Sequence, residues 1–192
     1  LPLLRAASKA HSDLVVVHID AHTDTYRGDG NQDYMRFNVA TTFTRAAEEA
    51  LIDVESSIHV GARGPISDNG VFNHTRDVGY GLIDSTELFN AGLRNTAKNI
   101  VESLKGRSVY LCFDMDFFDP SCAPGVCTPT WGGATSREGL DFLQNLSGLN
   151  LVGADINTVS PPHDISGMTA FLAATVGLEI LSVICHSKGL VE

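Results

Sequence analysis

A chain of 192 residues is long enough to bury a sizeable core, and 43% apolar with 19% charged residues is the make-up of an ordinary globular protein. A formal net charge of −10 argues against nucleic acid, and against an anionic membrane surface, as the main partner. An acidic enzyme surface accounts for that charge, which is also compatible with a cationic substrate.

Short apolar runs alternate with longer helical segments. LVVVHI (14–19) reads as a strand buried on both faces, NVATTFTRAAEEALI (38–52) as helical, and SIHVGAR (57–63) as a second strand. Residues 84–104 read as one helix with acceptors at its start and Glu87 in the first turn. SVYLCF (108–113) is a third strand. TSREGLDFLQNL (135–146) opens on a T-x-x-E capping box. LNLVGADI (149–156) is a fourth strand, and 167–184 is a long, mostly apolar helix. Uninterrupted apolar strands alternating with helices predict an α/β fold, with a mostly parallel sheet covered on both faces. Ligands bind such sheets beyond the carboxyl ends of the strands. The apolar stretch 168–185 is broken by Thr169, Thr175, Gly177, Glu179 and Ser182, so it is not read as a membrane span. The cysteines Cys112, Cys122, Cys127 and Cys185 form no C-x-x-C pair; Cys112 reads as core, and the set favours a reducing, cytoplasmic setting.

Two acidic clusters follow strands. D-A-H-T-D (20–24) gives Asp20, His22 and Asp24; CFDMDFFDP gives Asp114 and Asp116. In extended backbone alternate side chains share a side, so each cluster can face one site. Four carboxylates and an imidazole gathered there repel one another, and two divalent ions would balance them where one would not. Mixed carboxylate and imidazole donors suit manganese, nickel, iron or zinc better than calcium or copper. Two such ions a few ångströms apart hold a hydroxide at neutral pH, ready for hydrolysis. The competing reading is of strand-end caps and turn formers.

HIDAHTDT and FDMDFFDPSCAPGVCTP closely resemble motifs of the ureohydrolases: arginase, agmatinase, guanidinobutyrase, proclavaminate amidinohydrolase and guanidine hydrolase. HVGARG and GADINTVSPPHDISGMTAFLAA resemble later blocks of that family, its agmatinase-like branch above all. The resemblance implies a three-layer αβα, arginase-like fold and a single catalytic domain over 1–192. LPLLRA resembles the segment just after the family's Gly-Gly-Asp-His motif, so an N-terminal part carrying one more metal-binding histidine is expected to be missing. The resemblance further implies two divalent ions, Mn2+ or Ni2+. Asp20 and Asp114 would bridge them, His22 and Asp116 would complete one, and Asp24 would bind the other together with the absent histidine. A metal-bridging hydroxide would attack a guanidino carbon, Asp24 would shuttle the proton, and urea would leave. A small guanidino substrate and a homo-oligomer, trimer or hexamer, are expected.

The chain departs from the family at three places. Thr158 stands where a substrate-pairing Glu is usual, which removes a charge-assisted contact. Thr130 replaces a Glu after Thr-Pro and is followed by Trp131, and Val39-Ala40 replaces His-Gly. Trp131 is therefore expected either to wall a smaller pocket, its indole face holding a planar cation, or to pack in the core, with Thr158 and Thr130 offering hydroxyls. His163 is placed on the substrate side, a turn role standing beside it. Guanidine is the favoured specific substrate, with agmatine and 4-guanidinobutyrate open. A metal-holding subunit without turnover is the alternative, and a one-zinc deacetylase of the histone-deacetylase type a third reading that Asp24 and Asp116 overfill. His18 is read as core or as support for a ligand; His11, His59, His74 and His186 carry no pattern.

Overall fold

The computed structural model describes residues 1–28, 33–66 and 68–190. Part of the polar loop 26–36, expected to shape a pocket mouth, thus lies outside the described residues. Helix α1 (Pro2–Ala10) leads into β1 (Leu14–Ile19), buried along its whole length as its apolar run requires. A short helix α2 (Asp33–Arg36), a 3-10 turn and α3 (Thr42–Glu48) precede β2 (Ile58–Ala62). Then come α4 (Val71–Val78), β3 (Gly81–Asp84), α5 (Ser85–Ala91) and α6 (Leu93–Ser103). The chain continues through β4 (Ser108–Asp114), α7 (Ser136–Gln144), β5 (Leu151–Asn157) and α8 (Met168–Ser187).

The single helix expected over 84–104 is two helices. Gly92, at φ 83° and ψ 130°, breaks it with a backbone no α-helix contains. Both capping boxes form: Asp84 accepts from the Glu87 amide and Thr135 from the Glu138 amide, each acid reaching back to the cap.

The described strands make one sheet in the order β3-β2-β1-β4-β5, every pair parallel. From β1 the chain moves outward to β2 and β3, then crosses back to set β4 on the other side of β1. That reversal opens a crevice beyond the carboxyl ends of β1 and β4, where open α/β sheets bind ligands. Val15, Val17, Ile19, Val109, Leu111 and Phe113 face one core, shared with Leu88, Ile100, Phe142 and Val176 from α5, α6, α7 and α8. Leu14, Val16 and Tyr110 face a smaller core on the other side, with Leu4 of α1 and Phe43 and Ala46 of α3. Helices therefore cover both faces.

Contrary to the expectation for 168–185, α8 has 20 residues at a mean hydropathy of 2.0, long and apolar enough to cross a membrane by length and composition. Its interruptions fall mostly on small residues, which lower its hydropathy little. Here Val176, Ile180 and Val183 pack it into the main core, while Phe171, Leu178 and Leu181 stay exposed. Where β2 shifts register between Val60 and Ala62, Gly61 adopts φ 103°, and a β-carbon there would fall 2.7 Å from the Phe117 ring. This close approach carries the chain into Arg63.

Candidate metal centre

The side of β1 that faces the smaller core runs Leu14, Val16 and then His18, whose ring lies 4.4 Å from that of Phe43. Asp20, one step past the strand and two past His18, continues that side, and its amide donates to the Val60 carbonyl of β2. Beyond Asp20 the backbone is not extended as expected. Asp24 has φ 50° and its carbonyl accepts from the Phe43 amide, which turns its carboxylate back towards Asp20. At the end of β4 a 3-10 turn, Met115–Phe117, likewise replaces extended chain and tucks Asp116 inward, where it is fully buried.

These bends bring the two clusters together. Asp116 Oδ1 accepts from the Ala21 amide at 3.0 Å, and its Oδ2 accepts from Thr128 Oγ1 at 2.8 Å and lies 3.0 Å from His22 Nδ1. Asp20 Oδ1 accepts from the His22 amide at 2.6 Å and lies 3.3 Å from His22 Nδ1; its Oδ2 lies 2.9 Å from His18 Nε2. Two groups of donor atoms result, each with all members within 4.8 Å of one another: His18, Asp20 and Asp24, and Asp20, His22 and Asp116. Asp20 belongs to both. Asp114 falls outside both groups, though it borders the same cavity; its Oδ1 accepts from the Asp116 amide at 2.8 Å and from the Thr158 hydroxyl.

The electrostatics are those of crowded anions. Burial, then the charge of Asp20, pushes Asp24 up to about 7, and burial, then Asp20 and Asp116, pushes Asp114 up to about 9. Burial would raise Asp20 too, but His18 and His22 outweigh it and hold Asp20 below the usual carboxylate range. The hydrogen bond to Asp116, then that to Asp20, lifts His22 to about 11. Among the described residues no lysine or arginine forms an ion pair with these four carboxylates; only the two imidazoles do. A donor set of buried carboxylates and imidazoles, short of positive charge, fits divalent cations.

Arg63, buried, ties the surroundings down. Its Nη2 donates to the carbonyls of Asp116, Thr130 and Phe118 at 2.6, 2.8 and 3.3 Å, and its Nε to that of Trp131 at 3.3 Å. The cavity before the cluster has a volume of about 480 Å³ and is lined by Asp20, Asp24, Asp114 and Thr158 together with Leu1–Leu4 and a polar wall from β4 and β5. In that wall Asp155 accepts from Tyr110 Oη at 2.6 Å and from Asn157 Nδ2 at 2.7 Å.

The residues expected around a substrate are scattered. Thr158, at φ 65°, reaches the cavity, but its hydroxyl is donated to Asp114. Thr130 is buried away from the cavity, its methyl against Gly64 and its hydroxyl donating to the Thr128 carbonyl. Trp131 neither walls the cavity nor packs in the core: it is 74% exposed, because only its carbonyl is engaged, by Arg63. His163 is exposed in a 3-10 turn, with Nδ1 2.8 Å from Ser160 Oγ, and does not line the cavity. Three residues weigh more than their sequence signal. His18 could be placed from its i, i+2 spacing to Asp20. Thr128 and His59, which contacts His18, have no local signal, because their partners lie on other elements.

A family model described as the arginase family matches residues 1–182. The chain is 36% identical over 187 residues to a guanidinobutyrase of Pseudomonas aeruginosa, covering 96% of this chain and 57% of that protein. It is 39% identical over 188 residues to an agmatinase of Photorhabdus laumondii, covering 98% of this chain and 57% of that one. It superposes on the proclavaminate amidinohydrolase from Streptomyces clavuligerus with a TM-score of 0.87 and 35% identity, over 96% of this chain and 60% of that one. The chain thus spans a little under three fifths of the length of these curated relatives.

Proposed function

Since the chain belongs to the arginase family, we propose that it acts in a dinuclear-metal hydrolase that cleaves the guanidino C–N bond of a small guanidino compound and releases urea. The observation that carries this reading is the place of Asp20 in both donor groups, which suits a carboxylate shared between two ions. His22 and Asp116 would hold one ion with Asp20, Asp24 the other, and Asp114 would join from the cavity wall. When bound, divalent manganese or nickel supplies Lewis acidity and hydroxide at neutral pH.

The protein side chains do the rest. Asp116, held by Ala21 and Thr128, fixes His22. Asp24, half-buried beside Asp20 and bordering the cavity, is placed to take a proton from the nucleophile and return it to the leaving nitrogen. Asp155, outside the donor set and fixed in the cavity wall by Tyr110 and Asn157, offers a carboxylate that favours a guanidinium. Free guanidine, agmatine and 4-guanidinobutyrate are the candidates.

A second reading, a metal-holding subunit without turnover of its own, draws on Thr158, whose hydroxyl is committed to Asp114 where the family's Glu would meet substrate. Urea release by the protein, loaded separately with manganese and nickel and offered the three compounds, separates the two. Metal-dependent urea from one of them is expected. Two bound ions with no urea from any of them would overturn the guanidino reading in favour of the second one or of an amide outside the guanidines.

A further inference from the structure

His18, which lines the cavity and belongs to one donor group, is paired with a second buried imidazole, His59, to which the reaction assigns no part. Parallel pairing of β1 with β2 sets His18 opposite His59, and their Nδ1 atoms meet at 2.8 Å. His18 Nε2 points the other way, to Asp20 Oδ2 at 2.9 Å. Both rings are 1% exposed. His59 packs edge-on to Tyr80 at 4.7 Å and to Phe43 at 5.0 Å, and its Nε2 is buried without a partner among the described residues.

Those contacts fix the protons. One proton lies between the two Nδ1 atoms. If His18 supplied it, neutral His59 would carry its own proton on Nε2, a buried N–H with nothing to receive it, and His18 would need a second proton to keep donating to Asp20. If His59 supplies it, His59 Nε2 is a bare lone pair among aromatic rings, His18 is neutral with its proton on Nε2, and no buried donor is left unpaired.

We infer that His59 and His18 form a relay of positioning residues, His59 Nδ1–H to His18 Nδ1 and His18 Nε2–H to Asp20 Oδ2, that holds Asp20 in the orientation it needs to bind metal. This deepens the proposed function and rests on its reading of Asp20 as a ligand. His59 touches none of the candidate carboxylates, yet through one ring it sets the carboxylate common to both donor groups. Support of this kind behind a metal ligand is typically worth about 10–100-fold in metal affinity.

Two measurements test the relay. In the unaltered protein, nitrogen-15 NMR of the histidine rings should show His59 protonated on Nδ1 and His18 on Nε2. A proton on His59 Nε2, or a doubly protonated His18, would overturn the relay, whether or not metal binds. His59→Leu should weaken manganese binding, followed by equilibrium dialysis, by about 10–100-fold. At saturating manganese it should lower kcat and leave KM unchanged, while His59→Asn, whose amide can donate from the same place, recovers most of the loss. Manganese affinity unchanged in a folded His59→Leu protein would overturn the proposal. If His59→Leu does not fold, the ring tautomers alone decide. Absence of binding of both manganese and nickel by the unaltered protein would instead refute Asp20 as a ligand, and the tautomers would still report on the relay.

Discussion

The two faces of the sheet share their strands and differ in almost everything else. On the side of α5 to α8, β1 shows Val15, Val17 and Ile19, and β4 shows Val109, Leu111 and Phe113, apolar from end to end. On the side of α1 and α3, β1 begins with Leu14 and Val16 and β4 with Ser108 and Tyr110, and the two finish with His18, Asp20, Cys112 and Asp114. One face is a dry core from bottom to top. The other changes from core to ionisable site partway along each strand, at the end where the crevice opens. The first face holds the strands in register so that the second can gather charges that repel.

That division can be broken from either side. The largest effect is expected from Phe113→Ala in the dry core, where a fully buried ring is lost: about 3–5 kcal/mol of stability by denaturant unfolding. Manganese affinity of the molecules still folded should change little, because Phe113 faces away from the cluster.

A change on the ionisable face should depend on pH. In the metal-free protein Asp24 and Asp114, at about 7 and about 9, lie above the value of an unfolded carboxylate. For a group raised in the folded state, the folded form binds more protons, so stability is fully present below the unfolded value and is lost as pH rises through the folded one. The metal-free protein should therefore melt at a lower temperature at pH 8 than at pH 5. Asp114→Asn should flatten that slope, and saturating manganese should remove it in the unaltered protein only. An equal slope in both metal-free proteins would show that Asp114 carries no charge penalty.

The smallest effect lies outside both faces. Thr135→Ala removes the cap of α7, an exposed device, and should cost about 1 kcal/mol, with manganese affinity unchanged.

What could be read in the residues was local. The apolar runs of β1, β2, β4 and β5 mark those strands, and T-x-x-E marks the start of α7, because each signal needs only neighbours along the chain. The break at Gly92 was hidden in residues that are helical on either side of it. The edge strand Gly81–Asp84 has only four residues, too few for a pattern to stand out. At the site, Asp20, His22, Asp24, Asp114 and Asp116 stood out as clusters. The turns that converge them, a positive φ at Asp24 and a 3-10 turn at Met115–Phe117, did not, since tertiary contacts impose them. Trp131 misled because an indole is usually worth burying, yet its loop is held by the backbone through Arg63 and leaves the ring outside. His59 was invisible for the opposite reason: its meaning comes from facing His18 across two strands.

The bond from the Ala21 amide to Asp116 joins residues 95 positions apart. β1 and β4, neighbours in space, therefore meet only after the whole β2-to-α6 excursion has been made, a loop whose closure entropy must be met before any contact across it rewards the chain. The cluster is thus expected to form late in folding, after β1 has found β4. Ions bound there would act on a finished structure: they would be expected to lengthen the lifetime of the folded chain while leaving the speed at which it is reached almost untouched.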